Sequence, residues 1–283
     1  MADLAPSPPR LARFSGRGFA LWLPRPRATA SSFSGLLPWL VPLTILAIWQ
    51  AGSTIGFIPA THLPAPSDVL AAAWRLTLSG ELPENIAVSF QRAITGFLVG
   101  GSLAFSFGLA NGLSKTSERL TDSTFQAVRN IPNLALIPLV ILWFGIDEGA
   151  KLFLTAFGVF FPIYINTFHG VRTVDPQLLE MARSYGTGPF ALFRKVILPG
   201  ALPSIFVGLR YALGIMWLTL IVSETIAANS GIGYMAMQAR EFMLVDVVVL
   251  AILVYALLGK LADSFARFLE RRTLGWHPSF RKA

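Results

Sequence analysis

Long apolar segments separated by short polar ones dominate the chain, a pattern typical of helices that cross a membrane. Six charge-poor segments, each roughly 17–28 residues long, approach the ~20 residues that a helix needs to cross a hydrocarbon layer. They cover residues 36–58, 86–113, 125–145, 152–168, 201–222 and 244–268. The sequence therefore predicts an all-α, polytopic membrane protein with six transmembrane helices and membrane lipid around it.

Two of the six segments carry features that affect packing. Residues 86–113 are rich in small side chains, which let helix backbones approach closely in lipid, so this segment is expected inside the helix bundle. The small residues are Gly96, Gly100, Gly101, Ser102, Gly108 and Gly112. Residues 125–145 contain Pro132 and Pro138 after a polar start, which predicts a kinked span or a re-entrant segment.

Composition narrows the chemistry that this chain can perform. Hydrophobic residues make up 54% of the chain and charged residues 13%, which leaves more apolar surface than one soluble domain buries. The absence of cysteine excludes thiolate metal sites, iron–sulfur clusters and disulfides. No HExxH, GxSxG or GxxxxGK[ST] motif occurs, so no enzyme activity is expected and any ATP must be hydrolysed by a partner.

The net charge of +8 follows the topology and does not indicate nucleic acid. With the N-terminus inside, most of the 23 Lys and Arg fall on the cytoplasmic side, and Arg75, Lys151 and Arg240 fall outside. Both termini are therefore expected in the cytoplasm. Residues 1–34 read as a disordered basic arm, 35–82 as the first span with a periplasmic loop, and 269–283 as a basic tail.

Residues 171–200 form a cytoplasmic loop that is too amphipathic for a simple connector. Asp175 is a good N-cap with Pro176 at the first helical position, and Gly186 is expected to end that helix in a left-handed conformation. Pro189 opens a second short helix, which Pro199 is expected to close. The segment predicts two short helices joined by a glycine turn at the membrane surface.

The same loop resembles the EAA signature of binding-protein-dependent ABC importer permeases. The matching residues are Glu180, Met181, Ala182, Gly186, Val196, Leu198 and Pro199. Met181 and Val196 are conservative departures, because alanine and isoleucine are usual there. The resemblance implies that this loop couples the permease to a cytoplasmic ATPase. From the loop pattern alone, an ordinary amphipathic hairpin stays an alternative.

The resemblance covers nearly the whole chain beyond the N-terminal arm. Residues 129–148, 161–170, 216–234 and 257–263 are similar to the aliphatic sulfonate permeases of the nitrate/sulfonate/taurine group. It implies a type I importer (MetI-like) domain over 83–268, an inner-membrane homodimer, two copies of an ABC ATPase and an external solute-binding protein. ATP and Mg would be held by the ATPase, with no cofactor on this chain. Taurine, nitrate, bicarbonate or a vitamin precursor are the alternative substrates.

Four residues are candidates for the substrate path, namely Arg129, Asn133, Arg210 and Glu224. A sulfonate is a permanent anion, so a cation or strong donor is expected along its route. The alternative is that the charged residues form internal salt bridges within the bundle or snorkel to the membrane surface, and the same alternative applies to Arg92. Lys260 and Asp263, three residues apart on one helix, are predicted to pair with each other.

Two other classes of protein stay open from the residues alone. An ion-coupled secondary transporter would need an intramembrane acid, for which Glu224 is the one candidate. An intramembrane enzyme would need a paired nucleophile and base, which the sequence does not offer.

Overall fold

The computed structural model describes residues 37–276, and the regular structure in that range is helical throughout. The elements are α1 (Leu37–Thr54), α2 (Pro66–Leu78), α3 (Glu81–Leu113), α4 (Lys115–Arg129), a 3₁₀ turn (Asn133–Leu136), α5 (Ile137–Phe144), α6 (Glu148–Arg172), α7 (Pro176–Ser184), α8 (Pro189–Leu192), a π-helical stretch (Phe193–Ile197), α9 (Leu198–Ala227), α10 (Ile232–Glu241) and α11 (Val245–Thr273). The all-α prediction is therefore confirmed. The arm at 1–34 and residues 277–283 of the tail at 269–283 stay predictions, since residues 1–36 and 277–283 lie outside the described range.

Contacts divide the chain into two units, Met1–Ile45 and Leu46–Ala283. Among described residues the first unit holds only the start of α1. The second unit holds the remaining helices and all the sites described below. Within it, the indole Nε1 of Trp49 donates to the carbonyl of Pro64 at 3.0 Å, which ties the end of α1 to the loop before α2.

Four helical stretches of the described chain are long and apolar enough to cross a membrane. They are α3, α6, Pro189–Ile226 and α11. A fifth is possible if α4 and the following stretch Asn133–Phe144, which meet at an angle of 86°, form one broken span. The predicted first span is helical over Leu37–Thr54 but is not among these, so the count of six is not confirmed.

Helices α3 and α6 pack side by side along rows of small residues. A Cβ on Gly100 would lie 2.2 Å from the carbonyl oxygen of Ala156, so only glycine permits this approach. Gly96 meets Thr155 and Gly108 meets Thr167 in the same way. The prediction that the small residues of this segment lie inside the bundle is confirmed for the glycines, whereas Ser102 is exposed. Because their partner is α6 of the same chain, they no longer argue for a homodimer.

The register of these contacts also decides the path of the chain. The residue numbers of the contacting pairs increase together along the two helices, from Gly96 with Thr155 to Gly112 with Val171. The two helices therefore run parallel. The connection through α4 and α5 must therefore return to the end where α3 begins. A broken span satisfies this requirement and a re-entrant loop does not.

The bent segment differs from the prediction in where it begins. Helix α4 starts at Lys115, ten residues before the predicted span, and Ser114 caps it by accepting a hydrogen bond from the amide of Ser117 at 3.3 Å. Its polar face binds the buried Asn111, whose Nδ2 donates to the hydroxyls of Thr121 and Tyr164, each at 2.8 Å. Hydrophobic periodicity did not show this polar anchor, which is why residues 115–124 were predicted to lie outside the span.

Candidate functional site

The loop after α6 begins as the sequence predicts. The carboxylate of Asp175 accepts a hydrogen bond from the amide of Gln177 at 2.8 Å, and Pro176 is the first residue of α7. Gly186 follows the end of α7 with a φ of +76°. This left-handed conformation disfavours side chains even though no atom would obstruct a Cβ there. The predicted cap and glycine turn are both confirmed.

The second half of the loop does not end where it was predicted to end. Helix α8 passes through the π-helical stretch Phe193–Ile197 directly into α9, so the prediction that Pro199 closes a separate helix is wrong. Pro199 lies directly after the π-helical stretch, and a local π adjustment is one way in which a membrane helix tolerates a proline. The loop is therefore continuous with a candidate membrane span.

The signature residues divide between an exposed part and a supporting part. Glu180, Met181 and Gly186 are exposed, whereas Ala182 is buried. Val196, Leu198 and Pro199 are half-buried where the loop joins α9. Four large apolar side chains around the turn are also exposed, namely Leu178, Met181, Tyr185 and Phe190. Exposed apolar surface rimmed by polar residues is typical of a protein-binding face.

A separate cavity of about 440 Å³ lies beside the bend between α4 and α5. Arg129 and Asn133, two of the candidate path residues, both line it. The remaining lining comes from the linker and the middle of α6 and α9, with Ile131, Pro132, Phe157, Gly158, Phe161, Pro162, Ile165, Asn166, Tyr211 and Ile215. The structure thus brings these two residues together and adds apolar walls that the sequence reasoning did not identify.

Arg210, the third candidate, is not part of that cavity. Its Nε donates to Asp263 at 3.1 Å, and its Nη1 lies 3.7 Å from a carboxylate oxygen of Glu270. Asp263 also pairs with Arg267 at 2.5 Å. Asp263 therefore serves these two arginines, and the Lys260–Asp263 pair predicted from spacing is not formed among the described residues.

Glu224, the fourth candidate, is buried near the end of α9 and receives hydrogen bonds at both oxygens. The Ser89 hydroxyl lies within 2.7 Å and 2.9 Å of the two carboxylate oxygens, and Arg92 Nη1 donates at 2.8 Å. The amide of Gly233 donates at 3.0 Å and the hydroxyl of Tyr255 at 2.7 Å. All of these donors belong to the protein, so in this conformation the carboxylate connects helices of the bundle through hydrogen bonds.

Arg92 extends the same cluster to α6. Its guanidinium forms two 2.6 Å hydrogen bonds to the carboxylate of Glu148, and Lys151 binds that carboxylate at 3.0 Å. Nη1 also donates to the carbonyl of Ser230 at 2.6 Å. A charged side chain within a membrane span needs a partner, and for this reason the sequence favoured an internal salt bridge for Arg92 as one alternative. Its partners lie far away in sequence, so the sequence alone did not identify them. The cluster joins α3, α6, α9, the 228–231 turn, α10 and α11.

Comparison with solved structures agrees with this architecture. A chain of the MetNI methionine ABC transporter, solved in inward-facing conformations, matches with a TM-score of 0.50 and 20% sequence identity. The match covers 70% of this chain and 97% of that chain. The likeness shows the fold alone, which is that of a type I (MetI-like) importer permease.

Sequence comparison is more specific. The family model described as the inner membrane component of binding-protein-dependent transport systems matches residues 96–275. The putative aliphatic sulfonates transport permease protein SsuC of Escherichia coli (strain K12) is 60% identical over 243 residues, covering 86% of this chain and 92% of the relative. The protein of the same description from Bacillus subtilis (strain 168) is 46% identical, covering 85% and 87%. The chain belongs to the family of inner membrane components of binding-protein-dependent transport systems, which are transport proteins and not enzymes.

Proposed function

We propose that this chain is the membrane-spanning subunit of an ATP-driven importer of aliphatic sulfonates. The observation that carries the proposal is the 60% identity to a putative aliphatic sulfonates transport permease over 92% of that relative's length. The cavity beside Arg129 and Asn133 supports it, because a permanent anion needs compensating charge or donors inside a low-dielectric bundle. Taurine, nitrate and bicarbonate are the competing substrates that the test below includes.

The ATPase is proposed to be a separate cytoplasmic chain that binds the loop around α7. Exposed Leu178, Met181 and Tyr185 offer the apolar contact, and Glu180 offers a charge beside it. The unbroken helix from Pro189 into α9 would transmit movement of the ATPase to the membrane span. ATP and Mg would be bound by the ATPase, and an external solute-binding protein would deliver the substrate.

Orientation is proposed from the charges that the fold collects at one end. The α3 and α6 helices run parallel, so Lys115 and Arg172 lie at the same end of the bundle as the α7 loop. The end of α11, with Arg271 and Arg272, lies there too because Arg210 near the start of α9 contacts Asp263 and Glu270. The positive-inside rule assigns this end to the cytoplasm, together with both termini.

Two copies of the chain are proposed to form the path between them. The support is the polar surface near the bend, since Arg129 is exposed and α4 contributes no buried residue. In a lone subunit, this exposed charge beside the cavity would meet lipid at a cost of about 3 kcal/mol on insertion scales. A second copy, with two ATPase chains, would enclose it.

Uptake by cells tests the proposal. A strain without its own sulfonate uptake would express this chain with the ATPase and binding protein encoded beside it, and accumulation of radiolabelled butanesulfonate would be measured. We expect uptake that unlabelled butanesulfonate competes strongly and that taurine, nitrate and bicarbonate compete weakly. Collapse of the proton gradient with ATP maintained should leave uptake unchanged. Uptake that follows the gradient, or that taurine or nitrate competes better than butanesulfonate, would contradict the proposal.

A further inference from the structure

Asn133 holds an unusual position in the wall of the cavity beside the bend. Both polar atoms of its side chain, Oδ1 and Nδ2, are buried and have no hydrogen-bond partner. Buried amides nearly always find partners, because an unpaired donor or acceptor loses its hydration without compensation. An amide left in this state is a candidate to bind a water molecule or a solute.

A cavity large enough for a small solute lies next to Asn133. Gly158 lies opposite, where a Cβ would be 3.0 Å from Asn133 Nδ2 and 2.9 Å from Thr219. The absence of that carbon lets the buried amide pack closely against α6, so a solute in the cavity reaches the amide only when the bend at 130–132 moves. The cavity volume of about 440 Å³ falls within the ~300–1,000 Å³ range of sites for small molecules.

The chemistry of the lining is divided in a way that matches one class of solute. Arg129 supplies a cation that has no ion-pair partner among the described residues, and Asn133 supplies an amide donor. Phe157, Phe161 and Ile215 supply apolar surface. An alkanesulfonate carries three acceptor oxygens on a permanent anion at one end and a hydrocarbon chain at the other.

The location also suits a solute in transit. Phe161 and Ile215 lie near the middle of α6 and α9, two of the candidate spans. The third wall is the broken segment at 130–132, where helix bonding is interrupted and the backbone can change conformation with less loss than inside a regular helix.

We propose that this cavity is a transient binding site for an alkanesulfonate, with the sulfonate bound by Arg129 and Asn133 and the alkyl chain against Phe157, Phe161 and Ile215. The inference rests on the proposed function and adds to it the residues of the chain that recognise the substrate. The site differs from Arg210 and Glu224, whose charged groups are already occupied by protein partners. A lipid phosphate group is also an anion with acceptor oxygens and would also fit at Arg129. The apolar walls, in contrast, fit the short alkyl chain of an alkanesulfonate and not a lipid.

Protection from a thiol reagent tests occupancy directly, because the chain contains no cysteine. An Ile215→Cys variant, assembled with its ATPase in phosphatidylcholine vesicles, would be labelled with 2-sulfonatoethyl methanethiosulfonate. We expect butanesulfonate to slow labelling at least about fivefold, a difference of roughly 1 kcal/mol. Butanol should not slow it. Ser123→Cys, exposed on α4 outside this cavity, is the matched control and should show no protection.

Combining substitutions separates binding at this cavity from other effects. Adding Asn133→Leu or Arg129→Gln to Ile215→Cys should remove the protection, whereas adding Arg119→Gln, on the exposed surface of α4, should leave it. Protection that persists in both Asn133→Leu and Arg129→Gln would overturn the proposal. Protection that appears only when phosphatidylglycerol replaces phosphatidylcholine, without butanesulfonate, would reassign the site to lipid and overturn it as well.

Transport by the single variants distinguishes failure of this site from failure of the proposed function. If wild-type chain takes up butanesulfonate, Asn133→Leu and Arg129→Gln should lower uptake about tenfold or more while assembly with the ATPase persists. Asn133→Leu keeps the side-chain shape and removes two unpaired polar atoms, so a purely structural residue would show equal or better stability with normal uptake. Normal uptake in both variants would refute the site, whereas no wild-type uptake would refute the function instead.

Discussion

The buried carboxylate of Glu224 provides the strongest quantitative prediction about the bundle. Glu224→Gln keeps the side-chain shape, yet it removes the charge that neutralises Arg92 and places an amide where an oxygen accepts hydrogen bonds. If the remaining oxygen stays on Arg92, the new NH₂ faces the amide of Gly233, which is 3.0 Å away, and the hydroxyl of Tyr255, which is 2.7 Å away. The Tyr255 hydroxyl could rotate and accept from this NH₂, but the amide of Gly233 can only donate, so its hydrogen bond would be lost.

The magnitude follows from burial. Side chains of Glu224 and Arg92 are 0% and 5% exposed, so solvent can replace little of the lost attraction. Removing one partner of such a pair costs about 3–5 kcal/mol. In the Glu224→Gln variant, Arg92 keeps its ion pair with Glu148, whose side chain is 57% exposed. Because Arg92 is not left without a carboxylate, we expect a loss of stability at the lower end of that range. Tyr255→Phe removes one hydrogen bond to the carboxylate and should cost about 1.5–3 kcal/mol.

Thermal inactivation of the purified chain measures this prediction. The temperature at which half of the protein leaves the monodisperse size-exclusion peak in detergent should fall by about 6–16 °C for Glu224→Gln, from a loss of about 3–4 kcal/mol at ~2–4 °C per kcal/mol. Tyr255→Phe should fall by less. Glu84→Gln, an exposed carboxylate in the first turn of α3, is the control and should change by ~1 kcal/mol or less. A Glu224→Gln midpoint equal to that of Glu84→Gln would refute the structural role of the cluster.

Three further predictions use matched pairs where the chain offers them. Gly100→Ala should destabilise the bundle by ~1–3 kcal/mol in the same thermal assay, because its Cβ meets the backbone of α6, whereas Gly214→Ala, with open space around it, should be neutral or stabilising. Gly186→Val should reduce uptake and recovery of the ATPase by affinity purification, because φ is +76°, whereas Gly188→Val, at φ −65°, should retain both. Arg210→Gln should destabilise the bundle by about 1 kcal/mol or less, a fall of ~2–4 °C or less in the thermal midpoint, with butanesulfonate uptake nearly normal. Equal effects within either glycine pair, or loss of uptake in Arg210→Gln with assembly intact, would contradict these assignments.

Local signals in the sequence predicted local structure well. Asp175 and Gly186 were assigned correctly because capping and left-handed turns depend on residues close together in the chain. The small-residue face of α3 was predicted to be buried for a reason that also held, namely close backbone approach. Its partner was not predictable, because nothing in a single helix indicates whether the matching surface lies in the same chain or in another copy.

Features that depend on distant residues were not predictable in detail. An internal salt bridge was one of the alternatives for Arg92, but its partners Glu148 and Glu224 are 56 and 132 residues away, and no spacing rule connects them. Asp263 was paired with the wrong neighbour because two arginines approach it, one from the same helix and one from α9. Pro199 was interpreted as a helix end, although a local π adjustment lets a membrane helix tolerate a proline.

The cavity shows the same limit for the candidate site. Arg129 and Asn133 were chosen from their residue types beside Pro132, and the structure places both on one cavity. The sequence could not show that Asn133 lacks a partner, nor that Phe157 and Ile215 complete the lining, since these depend on how α6 and α9 pack.

Uptake by purified components tests the central claim most directly. The chain would be reconstituted into phosphatidylcholine vesicles with its ATPase, and labelled butanesulfonate would be supplied with the solute-binding protein outside and ATP on the ATPase side. The account predicts accumulation that requires all three proteins and hydrolysable ATP, and that an ion gradient does not replace. Accumulation without the ATPase, or none when every component is present and the ATPase is active, would contradict it.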